Sequence, residues 1–275
     1  MMLVNGSSKY LVGDLVAATD AYRIYNCTQE DSGRQCLMQI ASAVGHNGDL
    51  ARASYILREL KLSADEQEKK YKDAGGHEPQ MLLNYQLGFP ELVDSFVCED
   101  MEHRQANVLA FRSIEEVRSV VPLSNITTKD RLQIDLRTSG WIMGKALKMM
   151  VLAHHNSGIA VRLMNGNNIL LSPEQHYVII FDWSRAQLYP GDIPLEERRR
   201  DISQTAQAVI TVLGSNFRKG AASEDKCVKQ YVDYISRLAR GVDGDAKRAH
   251  KKFYELVDAL WKREYYPFTT EPLSD

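Results

Sequence analysis

The stretch Val161-Arg162-Leu163-Met164-Asn165-Gly166-Asn167-Asn168-Ile169-Leu170, followed by Ile179-Ile180-Phe181-Asp182-Trp183-Ser184, decides how this chain is read. A loop carries an Asn five residues after Leu163. Two strand-like apolar runs follow, Asn168-Ile169-Leu170-Leu171 and Val178-Ile179-Ile180-Phe181, joined by the turn Ser172-Pro173-Glu174-Gln175. Asp182 stands in the next turn, thirteen residues after Ile169. Taken alone, Asp182 reads as a turn residue and Asn168 as a brace hydrogen-bonded to loop backbone.

Working outward, 275 residues suit one large domain or two lobes. Hydrophobic residues at 44% and charged residues at 25% are ordinary for a globular chain with a sizeable core. A formal charge of -2 gives no global attraction to nucleic acid or to an anionic membrane. The run Arg198-Arg199-Arg200 lies beside Glu196 and Glu197 and reads as a solvated helix start. Cys27, Cys36, Cys98 and Cys227 form no CxxC pair, which argues against zinc and for free thiols. The longest apolar runs are strand-sized, and Met1 to Ser8 carries no leader-like pattern, so a cytoplasmic protein is expected.

The first part reads as strands at Lys9–Val16, Arg23–Cys27 and Gln35–Ile40, with a hairpin turn at Asp31-Ser32-Gly33. A helix is expected to start at Asp49 as N-cap, with Leu50, Ala53, Ile56, Leu57 and Leu60 on one face. The charged stretch Asp65–Lys72 either prolongs it or forms a solvated arm, and Gly75-Gly76 breaks the pattern. Leu92–Cys98 and Ala106–Phe111 read as two more strands around the polar turn Glu99–Gln105. The remainder reads as mainly helical. Ile114–Val121 is a short helix closed by Pro122, and Thr128–His155 a long amphipathic pattern interrupted at Thr138-Ser139-Gly140. Further helices are expected at Ile202–Leu213, Asp225–Arg240 and Asp245–Arg263, then a partly ordered tail, Tyr265–Asp275.

Five strands with one helix, then a helical half with a loop, hairpin and Asp turn, resemble the protein-kinase superfamily from about Tyr10 to Trp261. The family's H-R-D-L-x-x-x-N falls on Val161, Arg162, Leu163 and Asn168, and its D-F-G on Asp182-Trp183-Ser184. Gly158-Ile159 matches the turn that precedes the catalytic loop, and Asp201 looks like the buried Asp that braces it. The resemblance implies an α+β, two-lobed kinase-like fold: a small antiparallel β-sheet lobe with one helix, 1–111, and a larger helical lobe, 112–275. It places the adenine hinge at Leu109, Ala110 and Phe111, where backbone makes the contacts.

The departures from the family pattern carry the functional reading. The general base position is Leu163, which accepts no proton. The Lys two positions on is Asn165. The Gly-rich phosphate loop matches Ala17-Ala18-Thr19-Asp20-Ala21-Tyr22-Arg23-Ile24, with no Gly at any of its three positions. The phosphate-binding Lys matches Gln39, and the helix Glu that holds it matches Ala53, with Glu59 as an alternative alignment. Absence of both is coherent, because one buried charge without the other is costly. Few residues separate Asp182 from Asp201, with Pro194-Leu195-Glu196 near the A-P-E place, which leaves little platform for a peptide substrate.

The resemblance therefore implies a pseudokinase, a binding, scaffold or allosteric module for another protein, with weak or absent binding of ATP and Mg or Mn. The alternative is an atypical kinase-like transferase, a small-molecule phosphotransferase or nucleotidyl transferase, using ATP and a metal held by Asn168 and Asp182. Arg162 is expected to pair locally rather than with a phosphorylated loop, and His154-His155 to make a helix-end or core hydrogen bond rather than bind metal. The aromatic tail Tyr265-Tyr266-Pro267-Phe268 either enters a partner's groove or folds back on its own lobe, the second being favoured.

Overall fold

Lys9 and Leu11 are exposed while Tyr10 and Val12 are buried, the period-two signature of a strand with one face on a core. The computed structural model describes residues 1–75, 83–262 and 264–273. It divides into two compact units, Met1–Ser119 with Asp182–Ala186, and Val120–Phe181 with Gln187–Asp275.

The first unit is one curled antiparallel sheet with a helix. Strands β1 (Met2–Asn5), β2 (Ser8–Ala18), β3 (Tyr22–Gln29), β4 (Gln35–Ala41), β5 (Glu91–Cys98) and β6 (Arg104–Ala110) run in the order β1-β2-β3-β4-β6-β5. Met38, Ile40, Ala106 and Val108 share one face and build a core with Tyr10, Val12, Cys27, Cys36 and Cys98. Asp94 of β5 accepts hydrogen bonds from Asn5 Nδ2 and Tyr10 Oη, both at 2.9 Å, which draws the two ends of the strand order together. Burial pushes the thiol of Cys27 up to about 12 and that of Cys36 to about 11, and raises Cys98 as well.

On the opposite face Asn107 Nδ2 donates to the Leu50 carbonyl (2.9 Å) of helix α1 (Asn47–Asp73). The helix buries Leu50, Ala53, Ile56, Leu57 and Leu60 at helical spacing, and the charged stretch Asp65–Lys72 prolongs it. Asp49 is not the N-cap. The helix starts two residues earlier at Asn47, whose side chain accepts from the Gln105 amide and donates to the His103 carbonyl (2.8 and 2.9 Å). Strand β1 was not expected either; the two-residue turn Gly6-Ser7, with Gly6 at φ 57°, folds Met2–Asn5 back onto β2. Gly76 lies outside the described residues.

The second unit contains β7 (Val121–Pro122), α2 (Asn125–Thr128), β8 (Leu132–Ile134), α3 (Leu136–Val151), β9 (Ile159–Ala160), β10 (Ile169–Ser172), β11 (Tyr177–Ile180) and β12 (Gln187–Leu188). It ends with α4 (Leu195–Leu213), α5 (Ser215–Ala221), α6 (Lys226–Ala239), α7 (Ala246–Leu260) and β13 (Thr270–Pro272). Ile114–Val121 does not form the expected helix. Only a 3₁₀ turn stands at Val117–Ser119, and Val121, held extended before Pro122, pairs with Leu171 of β10. The pattern Thr128–His155 is not one helix. Asp135 caps α3 by accepting from the Thr138 amide (2.6 Å), and Leu132–Ile134 is a strand that pairs with β13 of the tail. Asp225 and Asp245 cap α6 and α7. Helix α7 ends at Leu260; Arg263 and the last two tail residues, Ser274 and Asp275, lie outside the described residues. Among the described residues no helix is long and apolar enough to cross a membrane.

His250 on α7 is half-buried, its Nε2 fully so, and its ring lies 4.8 Å from that of Tyr254. Burial, helped by Lys148, depresses its pKa from 6.5 to about 4. The fold therefore prefers the neutral ring. That stability is complete above about pH 6.5 and is lost as pH falls toward 4. We expect His250→Leu to lose less stability than wild type between pH 7 and pH 4.5, by about 2–3 kcal/mol. Urea unfolding at the two pH values measures it, and parallel losses in both proteins would refute it.

Candidate nucleotide and metal site

The loop 161–168 is held by one buried carboxylate. Asp201, fully buried on α4, accepts from the backbone amides of Val161 (2.8 Å) and Arg162 (2.7 Å) and bonds His154 Nε2 (2.9 Å). A carboxylate is the acceptor that can serve three donors at once. His154 thus makes the core hydrogen bond expected of it, and His155 pairs with Asp245 at 3.3 Å. Arg162, at φ 65°, pairs with Glu197 (2.8 Å) and reaches Tyr189 Oη (3.3 Å), so its charge is used locally.

Asn168 spans the far end of the loop. Its Nδ2 donates to the Leu163 carbonyl (2.6 Å), and its Oδ1 accepts from the Phe181 amide (3.1 Å). The bracing role is therefore realised. Leu163 is half-buried, and Asn165 is exposed and folds its Oδ1 onto the amides of Asn167 and Asn168.

Asp182 belongs to the first unit, and there Tyr22 reaches it. The Tyr22 phenol is buried beside the Asp182 carboxylate; burial, then that carboxylate, push its pKa far up. Asp182 Oδ1 also accepts from the Ser184 amide (2.8 Å). Arg52 of α1 donates to the Ser184 carbonyl at 2.6 Å and to Asp49 at 3.2 Å. Burial would raise the Asp49 carboxyl, but hydrogen bonds from His46 and Arg52 hold it below the usual range.

Tyr22 occupies the third Gly position of the phosphate loop pattern. The turn around it is closed by its own bonds: the Thr19 amide donates to the Tyr22 carbonyl (2.8 Å), and the Tyr22 amide to Thr19 Oγ1 (3.0 Å). The Ser42 amide and hydroxyl then hold the carbonyls of Ala21 and Asp20. Two of the amides in the span matched to a phosphate cradle are thereby committed within the protein. Gln39 is buried on β4 beside Asn107 of β6, and Ala53 is buried on α1, so neither position brings a charge to this face. Leu109, Ala110 and Phe111 are buried at the end of β6. The structure thus gathers Leu163 with Asn168 in the second unit, and Gln39, Ala53, Leu109–Phe111 and Asp182 in the first.

No protein-family model and no curated protein sequence matches the chain. Solved structures do match. The structure of vaccinia related kinase 3 is similar over 94% of this chain and 90% of that one, with a TM-score of 0.64 at 12% identity. The BubR1 kinase domain is similar over 94% and 86%, with a TM-score of 0.57 at 11% identity. The fold is that of protein kinases. At such low identity the likeness concerns the fold alone.

Sequence reasoning missed Tyr22 and Arg52 as site residues. The signal for Tyr22 was present: an aromatic residue with a hydroxyl where the family pattern demands Gly. For Arg52 there was none, because its partner is a backbone carbonyl 132 positions away.

Asp201 supplies the test of the loop. Asp201→Ala leaves two amides and an imidazole without their acceptor and should cost about 3–5 kcal/mol. Chemical denaturation reads this directly, and a cost below about 1 kcal/mol would contradict the bracing role.

Proposed function

We propose that this chain is a pseudokinase, a kinase-like module that binds another protein and performs no phosphotransfer. The observation that carries the reading is the buried Tyr22 beside Asp182, at a position the family pattern gives to Gly. In the family this Asp holds the metal. Here its carboxylate lies beside a buried phenol and accepts from the Ser184 amide, and the Asn168 amide oxygen accepts from Phe181. The two groups matched to the Mg site are the right chemical type, but both are engaged as they stand. A carboxylate and an amide oxygen are donors that a divalent metal accepts, and Tyr22 beside Asp182 competes for that carboxylate.

The remaining residues support the same reading. Leu163 offers no base, Gln39 no charge for a phosphate, and Ala53 no partner for a lysine. In the family the matched hinge at Leu109–Phe111 meets adenine through backbone, so weak binding of ATP without metal is compatible with the proposal. A transferase reading lacks a group at position 163 that could take a proton from an acceptor hydroxyl.

Thermal unfolding with excess ATP, in Mg²⁺, in Mn²⁺ and in chelator, tests this. A ligand at 100 times its Kd adds about 2.7 kcal/mol, a clear rise in midpoint. Wild type should show no metal-dependent rise, and Tyr22→Gly should gain one that Asp182→Ala removes. A metal-dependent rise in wild type would contradict the proposal. Leu163→Asp with Gln39→Lys should leave phosphotransfer at background, and the triple variant with Tyr22→Gly should exceed it. Turnover by the double variant alone would show that Tyr22 is no obstacle.

A further inference from the structure

Helices α3 and α7 and the β10–β11 turn border a groove in the second unit, and the chain's own tail, 264–273, lies along it. Tyr266 Oη donates to Asp135 (2.9 Å), its ring lies under the Arg137 guanidinium (4.3 Å to the centroid), and Arg137 pairs with Glu264 (3.3 Å). Tyr265 stacks on His176 (4.6 Å), which also stacks on Trp141 (4.9 Å, 10° between planes). The Thr269 amide donates to Thr138 Oγ1 (3.2 Å), and β13 pairs with β8. Glu271 meets Gln133 Nε2 (2.9 Å) and Lys219 (3.8 Å). The tail therefore folds back on its own unit, as favoured from sequence.

The fit is incomplete in four respects. Cavities of about 620 Å³ and 180 Å³ flank the tail, both bordered by Arg137, Trp261 and Tyr266. Trp141 Nε1 and His176 Nε2 are buried and have no hydrogen-bond partner among the described residues. An unmade buried hydrogen bond costs about 1–3 kcal/mol, so an acceptor supplied there would be strongly favoured. Lys145, one turn along α3 from Trp141, sits 5.7 Å from the Tyr177 ring centroid and has no ion pair among the described residues. Finally, the tail's own hold is light: a three-residue ladder, exposed ion pairs worth about 0–1 kcal/mol each, and a Tyr265 that is 73% exposed.

The charges sort by origin. Arg137 and Lys219 belong to the groove, whereas Glu264 and Glu271, which pair with them, belong to the tail. We infer that the groove is a docking site for an extended acidic-aromatic peptide segment of a partner protein, occupied in cis by the tail. Such a segment adds a strand to β8, lays a ring on His176, gives a tyrosine hydroxyl to Asp135 and brings an acceptor to Trp141 Nε1. This is β-strand addition with side-chain pockets giving specificity. Displacement of the tail is part of binding, so the closed fraction of the tail lowers the apparent affinity in proportion.

A labelled peptide of the tail sequence, Glu-Tyr-Tyr-Pro-Phe-Thr-Thr-Glu-Pro-Leu, tests this by anisotropy on the full chain. The variant Tyr265→Ser/Tyr266→Ser, which loosens the tail, should bind it at least about 10-fold more tightly than wild type. The indole N–H resonance of Trp141, assigned with Trp141→Phe, should shift on binding, and a peptide with both glutamates changed to glutamine should bind more weakly. Equal affinity for the two proteins, no binding to the variant, or binding that leaves the Trp141 resonance unmoved would overturn the inference. Should the variant fail to fold, hydrogen exchange of wild type decides. The amides of Thr269 and Leu273 should exchange by local opening, faster than those of α4; exchange only with global unfolding would overturn it.

Discussion

A fully buried carboxylate, Asp201, is the constraint on which the loop of the second unit depends. Its two oxygens order two successive amides and a histidine, and among the described residues no other acceptor takes those donors. The path of the backbone through Val161 and Arg162 is thus set by hydrogen bonding to a carboxylate on α4, not by the side chains the loop presents. That separation has a chemical consequence. A hydrocarbon at position 163 leaves the geometry of the loop intact, because the loop's shape never relied on the group that would do chemistry there.

In the first unit a similar substitution of one interaction for another runs through the site. Gln39, buried on β4, and Ala53, buried on α1, form no ion pair between helix and sheet. Helix α1 is instead tied to the Asp182–Ala186 segment by a charged hydrogen bond from Arg52 to a carbonyl. A charge-assisted bond to backbone avoids burying two opposite charges and needs no nucleotide to complete it. Tyr22 beside Asp182 and the Ser184 amide on that carboxylate hold the same segment from within the first unit.

Much of this was legible in the sequence because it is local. The spacing from Leu163 to Asn168 and on to Asp182 survives in one short stretch, and Asp201 declares itself soon after. The kinase-like order of strands and helices follows from periodicity and turn residues such as Asp31-Ser32-Gly33. Failures arose where a short segment takes its state from a distant partner. Met2–Asn5 is too short to read as a strand without β2 beside it, and Leu132–Ile134 mimics helical spacing until β13 arrives from the tail. The pairing of Tyr22 with Asp182 joins residues 160 positions apart, which no period or motif encodes.

The cysteines give the first unit a built-in reporter. Cys27, Cys36 and Cys98 lie in the core of the curled sheet with thiols raised by burial, whereas Cys227 in the second unit is only half-buried. At neutral pH the three buried thiols hold almost no thiolate, the form that alkylating reagents attack. An alkylating reagent would modify Cys227 early and the other three only when the sheet opens, so that the slow part of the labelling clocks how often the β-lobe breathes.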